Sequence, residues 1–334
     1  MATDVAAAPM SRFKGLAKPS QEQIVLIVTV LLALTFSLVL PGFATIANFL
    51  TLARSVSILG ILALGMGLVV IGRGLDLCQV ATMAATSAIV IELMQHGWPT
   101  LPALAIGLVL ALLIGALNGA IIAFMEVPAL FTTLATAFFV YGSTRFVLQQ
   151  MIVYPPAAAT GFLYFGQGRP LGIPMPIIVF AAAALFMHWF MSRTTPGKFV
   201  YTHGDNPEAA RLTGVPLRPL TIMEYGLSAL VAFIAGILTS ASTASMNMQV
   251  VNSTQVFDVI LVVVLGGISL IGGRGGVLSV VAGTALIGTL LNGLTIMDLN
   301  NEVQDIIKGL VLLAAIVLDN RLHPRDEETS RQGD

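Results

Sequence analysis

Residues 101–125 read LPALAIGLVLALLIGALNGAIIAFM, a stretch without a single charged side chain. Five more uncharged runs occupy residues 24–40, 55–72, 127–144, 225–257 and 275–297. A bilayer-spanning helix needs about 20 predominantly apolar residues, so runs of this length are typical of membrane spans. Lipid offers the backbone no hydrogen-bond partners, and the runs lack the period-two alternation of barrel strands. The sequence therefore predicts α-helices that cross a membrane.

The overall composition agrees with membrane insertion. Of the 334 residues, 56% are hydrophobic and 10% are charged, whereas about 25% of a soluble domain is charged. The mean hydropathy is +0.91. The 16 basic residues are scattered along the chain and the net charge is −1, which argues against a nucleic-acid partner. Cys78 is the single cysteine and the four histidines are far apart in sequence, so neither a disulfide nor a metal site is predicted.

The direction of the chain through the membrane follows from its positive charges. Breaks between apolar runs give ten predicted spans, at 24–40, 55–72, 77–94, 101–125, 128–149, 175–191, 220–243, 257–272, 276–297 and 303–318. Lys and Arg concentrate in cytoplasmic loops, and with the N-terminus inside, 12 of the 16 basic residues fall on the inner side. We therefore predict an all-α polytopic membrane protein with about ten transmembrane helices and cytoplasmic N and C termini.

These spans define a simple domain organisation. A cytoplasmic tail is predicted at 1–22, one transmembrane domain at 23–320, and a second cytoplasmic tail at 321–334. The largest inner loop, 193–219, contains the signals of a short helix. Asn206 is a suitable N-cap, Pro207 suits the first helical position, and Gly214 ends the helix. A helix of about two turns is unstable alone in water, so it needs a surface to pack against, either on this protein or on a partner.

The same three residues, Gly-Arg-Gly, occur in two glycine-rich turns of the chain. Gly72-Arg73-Gly74 follows one apolar span, and Gly273-Arg274-Gly275 follows another. Internal repeats are common in transporters, so an internal repeat is one interpretation. The alternative is two independent tight turns, each with an arginine that extends to the membrane interface.

Four motifs carry a resemblance to a known family. They are Gly197-Lys198 followed by NPEAARLTG at 206–214, DVILVVVLGGISLIGGRGG at 258–276, GTLLNG at 288–293, and GALNG at 115–119 followed by Pro128. These motifs resemble those of permease subunits of bacterial ABC importers, in the branch for ribose, xylose and related sugars. The resemblance implies transport of a sugar, polyol or sugar derivative. The same superfamily contains permeases for branched-chain amino acids, which are an alternative.

The resemblance also implies partners and a place in the cell. The chain has no G-x-x-x-x-G-K-[ST] phosphate loop, so we expect no cofactor on it and ATP with Mg²⁺ on a partner ATPase subunit. A periplasmic substrate-binding protein and a second permease copy or paralogue are further implied partners, in the cell inner membrane. The short loop helix would couple to the ATPase through Asn206, Glu208, Ala209, Ala210, Arg211, Leu212 and Gly214.

Polar residues inside predicted spans are candidates for the translocation path, because they are costly in lipid. They are Asp76, Asn118, Asp258 and Asn292. Each has a structural alternative, since amides join neighbouring helices and both aspartates lie near span ends. The uncharged segment 244–256 carries Asn247, Gln249 and Asn252, which suit either a hydroxyl-rich ligand or a docking binding protein.

Some features leave the substrate and the energy source open. Cys78-Gln79-Val80 stands where the family usually has serine, valine and glycine, and Val256 stands where an acidic residue is frequent. Both departures lie near the family's translocation path. An ion-coupled secondary transporter is the rival from another class, and it would need carboxylates deep inside the spans. The carboxylates here fall mostly near predicted span ends, as at Glu92, Glu126, Glu224 and Asp305.

Overall fold

The computed structural model describes residues 21–322. The predicted tails at 1–22 and 321–334 lie outside this range except for two residues of each. Within it the chain forms thirteen α-helices and two very short strands. They are α1 (Gln21–Val39), α2 (Ile46–Ile71), α3 (Gln79–Gln95), α4 (Thr100–Met125), α5 (Ala129–Leu148), β1 (Ile152–Val153), α6 (Thr160–Gln167), α7 (Met175–Arg193), α8 (Thr195–Asp205), α9 (Pro207–Leu212), α10 (Leu217–Thr243), β2 (Met246–Asn247), α11 (Gln255–Gly266), α12 (Val277–Ile296) and α13 (Asn301–Leu322).

The apolar runs are helical, as predicted, and the protein is a multi-pass membrane protein. In the described part of the chain, six helices are long and apolar enough to cross a bilayer, namely α1, α2, α4, α7, α10 and α12. The strands β1 and β2 pair antiparallel over two residues each, which is the one small departure from an all-α fold in this range.

The predicted span at 257–272 is wrong at its C-terminal end. Helix α11 stops at Gly266, and Gly267 adopts a left-handed φ of 103°. Gly272 and Gly273 also have positive φ values, so the rest of the predicted span is a glycine-rich loop. Glycine ends helices in this way because it has no Cβ to clash in the left-handed region. At about 1.5 Å per residue, α11 reaches only about halfway across a bilayer core.

The core of the molecule forms where α10 packs against α4, α2 and α3. The approach of α4 to α10 depends on two small residues. A Cβ at Gly115 would lie 2.5 Å from the Tyr225 carbonyl oxygen, and a Cβ at Gly119 would lie 2.5 Å from the Cα of Ile222. The small-xxx-small pattern of 115–119 therefore lets two backbones pack closely, as expected for helices in lipid.

Helix α2 connects the two ends of the molecule. Its N-terminal residues Thr51 and Ser55 line a polar cavity, and its last residue, Ile71, contacts the segment that contains α8. The distance between these ends of α2 is about 25–30 Å at 1.5 Å per residue. The two surfaces described next thus lie at opposite ends of one continuous helix.

Candidate functional site

Helix α9 is the short helix predicted in the loop, and its ends are set by local chemistry. The Asn206 side-chain oxygen accepts a hydrogen bond from the Ala209 backbone N–H at 3.0 Å, and Pro207 is the first helical residue. Gly214 follows with a φ of +82°, which ends the segment. Asparagine at the N-cap and proline at the first position are favoured because they satisfy or remove unpaired N–H groups.

One face of α9 is presented outward and the other holds the helix to the protein. Ala209 and the side chains of Glu208 and Arg211 are exposed. Leu212 is 88% exposed although it is apolar, whereas Ala210 is completely buried. Ala210 therefore anchors α9, and the four exposed residues form what we term the α9 face. The α9 face therefore presents one large apolar side chain and two charged side chains on the outward side of the helix.

Helix α8, which the sequence analysis did not predict, holds α9 against the membrane helices. Gly204 lies so close to α2 that a Cβ there would overlap the Ile71 carbonyl oxygen. The Tyr201 hydroxyl donates a hydrogen bond to the Gly275 carbonyl at 3.0 Å. Burial raises the pKa of Tyr201, which keeps its phenol protonated as a donor. Helix α8 is thus seated on two different parts of the membrane domain.

Those two parts are the glycine-arginine turns, which meet in space. The Gly273 N–H donates to the Ile71 carbonyl at 2.8 Å, and Arg73 Nε donates to the Ile271 carbonyl at 2.9 Å. We term residues 72–74 and 272–275 the paired turns. Arg73 therefore holds the second turn, so the two turns are not independent of each other. The paired turns therefore link the C-terminal end of α2 to the loop between α11 and α12, and α8 contacts both.

A buried acid also lies at this end of the molecule. Glu224 of α10 is 1% exposed, and its carboxylate lies 3.6 Å from His203 Nδ1 of α8. A Cβ at Gly72 would contact the same carboxylate at 2.7 Å. Glu224 therefore packs between α8 and the first of the paired turns, near the start of α10.

The predicted path residues Asp76 and Asn118 lie together in the protein interior. Asp76 is 3% exposed, and its carboxylate accepts hydrogen bonds from Ser228 Oγ at 2.7 Å and from the Cys78 N–H at 3.1 Å. Asn118 is 1% exposed and lies beside the Cys78 thiol. Among the residues that the structure describes, no donor reaches the side-chain oxygens of Asn118 and Gln79. These five residues form a polar centre enclosed by α3, α4 and α10.

The other two predicted path residues, Asp258 and Asn292, line an open cavity of about 690 Å³ at the opposite end from α8. We term this cavity the polar cleft. Its walls come from the N-terminal part of α2, the segment 252–255, the start of α11, the C-terminal part of α12 and the first turns of α13. The predicted residues thus separate into two groups, one enclosed and one facing a cavity.

An ion-pair network forms one wall of the polar cleft. Lys308 Nζ lies 3.0 Å from the Asp258 carboxylate and 2.8 Å from that of Asp305. It also donates a hydrogen bond to Thr254 Oγ1 at 2.9 Å, and Thr254 donates to Asp305 at 3.1 Å. The side chains of Lys308 and Asp258 are only 12% and 15% exposed. The network joins α13 to α11 at the mouth of the cleft.

Amide groups complete the walls. Asn292 and Asn48 exchange two hydrogen bonds, at 2.9 and 3.0 Å, which tie α12 to the first turn of α2. Asn252 lines the cleft and donates to the Tyr141 hydroxyl at 3.1 Å. Asn247 and Gln249 are exposed outside the cleft, where the Asn247 side chain accepts a hydrogen bond from the Gln249 N–H. Of the three amides proposed for ligand contact, only Asn252 is therefore among the cleft residues.

Sequence reasoning missed three residues of the ion-pair network, namely Lys308, Asp305 and Thr254. One signal was present, because Asp305 and Lys308 are three positions apart in a predicted span and so share a helix face. Their pairing with Asp258 on α11 depends on how two helices pack, which no local pattern shows.

The chain is similar to sugar import permeases of bacteria. It is 33% identical to the ribose import permease protein RbsC of Escherichia coli K12, over 90% of this chain and 94% of the relative. Identity is 32% to RbsC of Bacillus subtilis 168, over 87% and 90% of the two chains. The L-arabinose transport system permease protein AraH of Escherichia coli K12 is 33% identical, over 88% and 89%. No solved structure matches the chain.

A family model places these similarities in one group. Residues 48–316 match the model described as "Branched-chain amino acid transport system / permease component". This range includes the polar cleft, the enclosed polar centre, α8, α9 and the paired turns. Because the match covers most of the chain and the relatives align over nearly their whole length, the protein belongs to this family of transport permeases, in the branch that contains the ribose and arabinose import permeases.

Proposed function

We propose that this protein is the membrane-spanning permease subunit of an ATP-driven ABC importer that carries a sugar, a polyol or a sugar derivative across the inner membrane. The relatives named for ribose and arabinose import support the substrate class. The observation that carries the mechanism is the α9 face, which exposes Leu212 and two charges on a short helix packed against α8, and α8 in turn contacts the paired turns. A partner ATPase would bind this face.

Coupling then follows from the contacts of α8. When two ATPase subunits close on ATP, they press on α9, and Ala210 and α8 pass the displacement to the paired turns. The paired turns join the end of α2 to the loop between α11 and α12, so one displacement biases several helices at once. Alternating access requires such a two-state element with different contacts in each state. ATP and Mg²⁺ stay on the ATPase, and this chain contributes binding surface and motion.

The polar cleft supports a ten-span topology. Residues 51–55, 252–255 and 301–305 all contribute to its walls, so they lie at one end of the molecule. If only the six long helices crossed the membrane, residues 252–255 and 301–305 would be on opposite sides, because α12 alone would separate them. Crossings by α3, α5, α12 and α13, and by α11 together with the glycine-rich loop that follows Gly266, place the cleft residues on one side. We assign that side to the periplasm, where a substrate-binding protein would dock, and a second permease copy would complete the pore.

Reconstitution tests this function. The permease is placed in liposomes with its ATPase and binding protein, and uptake of labelled ribose, arabinose and leucine is measured with and without ATP. We expect ATP-dependent uptake of a sugar. Uptake driven by an ion gradient without the ATPase would overturn the proposal in favour of a secondary transporter, and uptake of leucine alone would favour an amino acid permease.

The coupling role of the α9 face is tested by substitution in the same system. We expect Leu212→Asp and the double variant Glu208→Ala with Arg211→Ala to weaken ATPase association and to lower transport. Lys198→Ala is the matched control, because Lys198 is exposed on α8 but lies outside the α9 face. Unchanged ATPase association and transport in both α9 variants would contradict the coupling role.

A further inference from the structure

We propose that the polar cleft is a transit site for neutral polyhydroxylated solutes, and that its Lys308 network selects against anionic ones. The inference rests on the proposed function and adds that the solute is neutral and which residues select it. The volume of the polar cleft, about 690 Å³, is within the range of roughly 300–1,000 Å³ that is usual for small-molecule sites.

The lining of the cleft has the character of a carbohydrate site. Hydroxyl and amide groups predominate, as at Ser55, Thr295, Asn301 and Gln304, and apolar side chains such as Leu59 supply surface between them. Amides and hydroxyls both donate and accept hydrogen bonds, and burying them with a ligand does not carry the desolvation cost of an ion. This combination suits a molecule that presents many hydroxyl groups and a few C–H faces.

The charges in the cleft disfavour an anion. Of the described residues that line it, three are charged, Asp258, Asp305 and Lys308, which gives a formal charge of −1. An ammonium group has three N–H donors. Those of Lys308 are directed to Asp258, Asp305 and Thr254. The one cation in the lining is thus fully engaged and is not available to bind a carboxylate or phosphate of a substrate.

The two carboxylates retain the capacity to bind hydroxyl groups. An ionised carboxylate has about four lone-pair positions, and hydrogen bonds to it are stronger than those between neutral groups. Asp305 is partly exposed to the cleft, with 42% of its side chain accessible. Charged groups at membrane depth are tolerated where they are paired or face water, and this network meets both conditions. The cleft therefore combines acceptors for hydroxyls with repulsion of anions.

Cysteine accessibility tests the transit site, because the natural chain has one cysteine and it is completely buried. Ser55→Cys places a thiol in the cleft, and Ala158→Cys places one on an exposed loop outside it. Each variant is assembled with the ATPase and treated with a membrane-impermeant, positively charged methanethiosulfonate, which the charges of the cleft do not repel. We expect ribose or arabinose at twice its dissociation constant to slow modification of Ser55→Cys about threefold. We expect the corresponding aldonate to have no effect, and Ala158→Cys to react equally under all conditions.

Selectivity is tested by Asp305→Asn, which removes one negative charge at the exposed edge of the network. We expect uptake of the aldonate to rise about threefold relative to the neutral pentose, because one repelling charge at about 6 Å in water is lost. Lys308→Met is a second variant, which removes the cation and leaves two unpaired carboxylates. We expect it to lower uptake of both solutes while ATPase association at the distant α9 face is retained.

The possible results separate this inference from the proposed function. If Ser55→Cys does not react, the cleft is covered, for example by a second permease copy, and the transit site is overturned. If it reacts without protection by a sugar that the complex still imports, the site is again wrong while the transport function stands. Equal protection by pentose and aldonate would overturn the charge selectivity. Absence of ATP-dependent sugar uptake by the natural protein would instead refute the proposed function.

Discussion

The buried carboxylate of Asp76 depends on very few partners. Ser228 Oγ donates to it at 2.7 Å and the Cys78 N–H at 3.1 Å. We expect Ser228→Ala to lower the free energy of unfolding by about 1–3 kcal/mol, because a buried acceptor that loses a donor keeps its desolvation cost. Thermal unfolding in detergent measures this. Ser37→Ala is the control, since the Ser37 hydroxyl bonds only to Ala33 of its own helix. An equal effect of both substitutions would contradict the role given to Ser228.

At this scale the sequence predicted residue types well and locations poorly. All four path candidates are polar groups that the structure places either in an enclosed centre or in an open cleft. The rule that polar groups are costly in lipid selects Asp76 and Asp258 equally. What separates them is packing, because Asp76 faces α10 while Asp258 faces Lys308 and a cavity. The unusual Gln79 belongs to the enclosed centre, where it donates to Ser228, and so lies away from the cleft.

Among the elements, α8 makes the most demanding contact. A Cβ at Gly204 would overlap the Ile71 carbonyl oxygen and lie 2.5 Å from the Gly273 nitrogen. We expect Gly204→Ala to displace α8 from the paired turns, at a cost of about 1–3 kcal/mol as for other overpacked sites. Sugar transported per ATP hydrolysed should fall, and both rates can be measured in proteoliposomes.

A second glycine provides the control for this substitution. Gly142 lies within α5 and no heavy atom lies within 4 Å of a Cβ built there. Gly142→Ala should therefore leave the coupling ratio unchanged and raise stability slightly, since alanine favours helix. If Gly204→Ala also retains the natural coupling ratio, then transmission of movement through the contact between α8 and the paired turns is refuted.

The elements also show where local signals suffice. Helix α9 was predicted with its cap because Asn206, Pro207 and Gly214 act on their own neighbours. Helix α8 has a similar signal in Thr194, which accepts from the Gly197 N–H, but two glycines lower its helix propensity. Gly204 is explained by its close approach to α2, a tertiary requirement. The C-terminal limit of α11 was missed because apolar residues continue past it into the loop.

For the molecule as a whole, hydropathy and the packing of the cleft give different numbers of spans. Between residues 21 and 322, six helices are long and apolar enough to cross a bilayer, whereas α3, α5, α11 and α13 are shorter or more polar. Helix α3 is nonetheless deeply buried, and a helix surrounded by protein need not be as apolar as one that faces lipid. The ten-span prediction therefore depends on α3, α5, α11 and α13, which a criterion of length and hydropathy does not select.

The number of spans can be decided at two short connections. With ten spans and a cytoplasmic N-terminus, Asn300 between α12 and α13 is periplasmic and Glu126 between α4 and α5 is cytoplasmic. With six spans both assignments are reversed. Natural Cys78 is first replaced by serine, and a single cysteine is then placed at Asn300 or at Glu126. We expect the two variants to differ in labelling when intact cells are treated. Asn300→Cys should react with an impermeant maleimide, and Glu126→Cys only after the membrane is opened.

A cysteine in the first turn of α10 provides the reference, because both topologies place residues 193–219 inside. Arg218→Cys should therefore be labelled only in opened cells, whatever the number of spans. Retained sugar transport shows that each variant is folded. Labelling of Glu126→Cys but not Asn300→Cys in intact cells would exclude the ten-span topology. It would also put residues 252–255 and 301–305 on opposite sides of the membrane, and a cleft built from both could then not open to the periplasm.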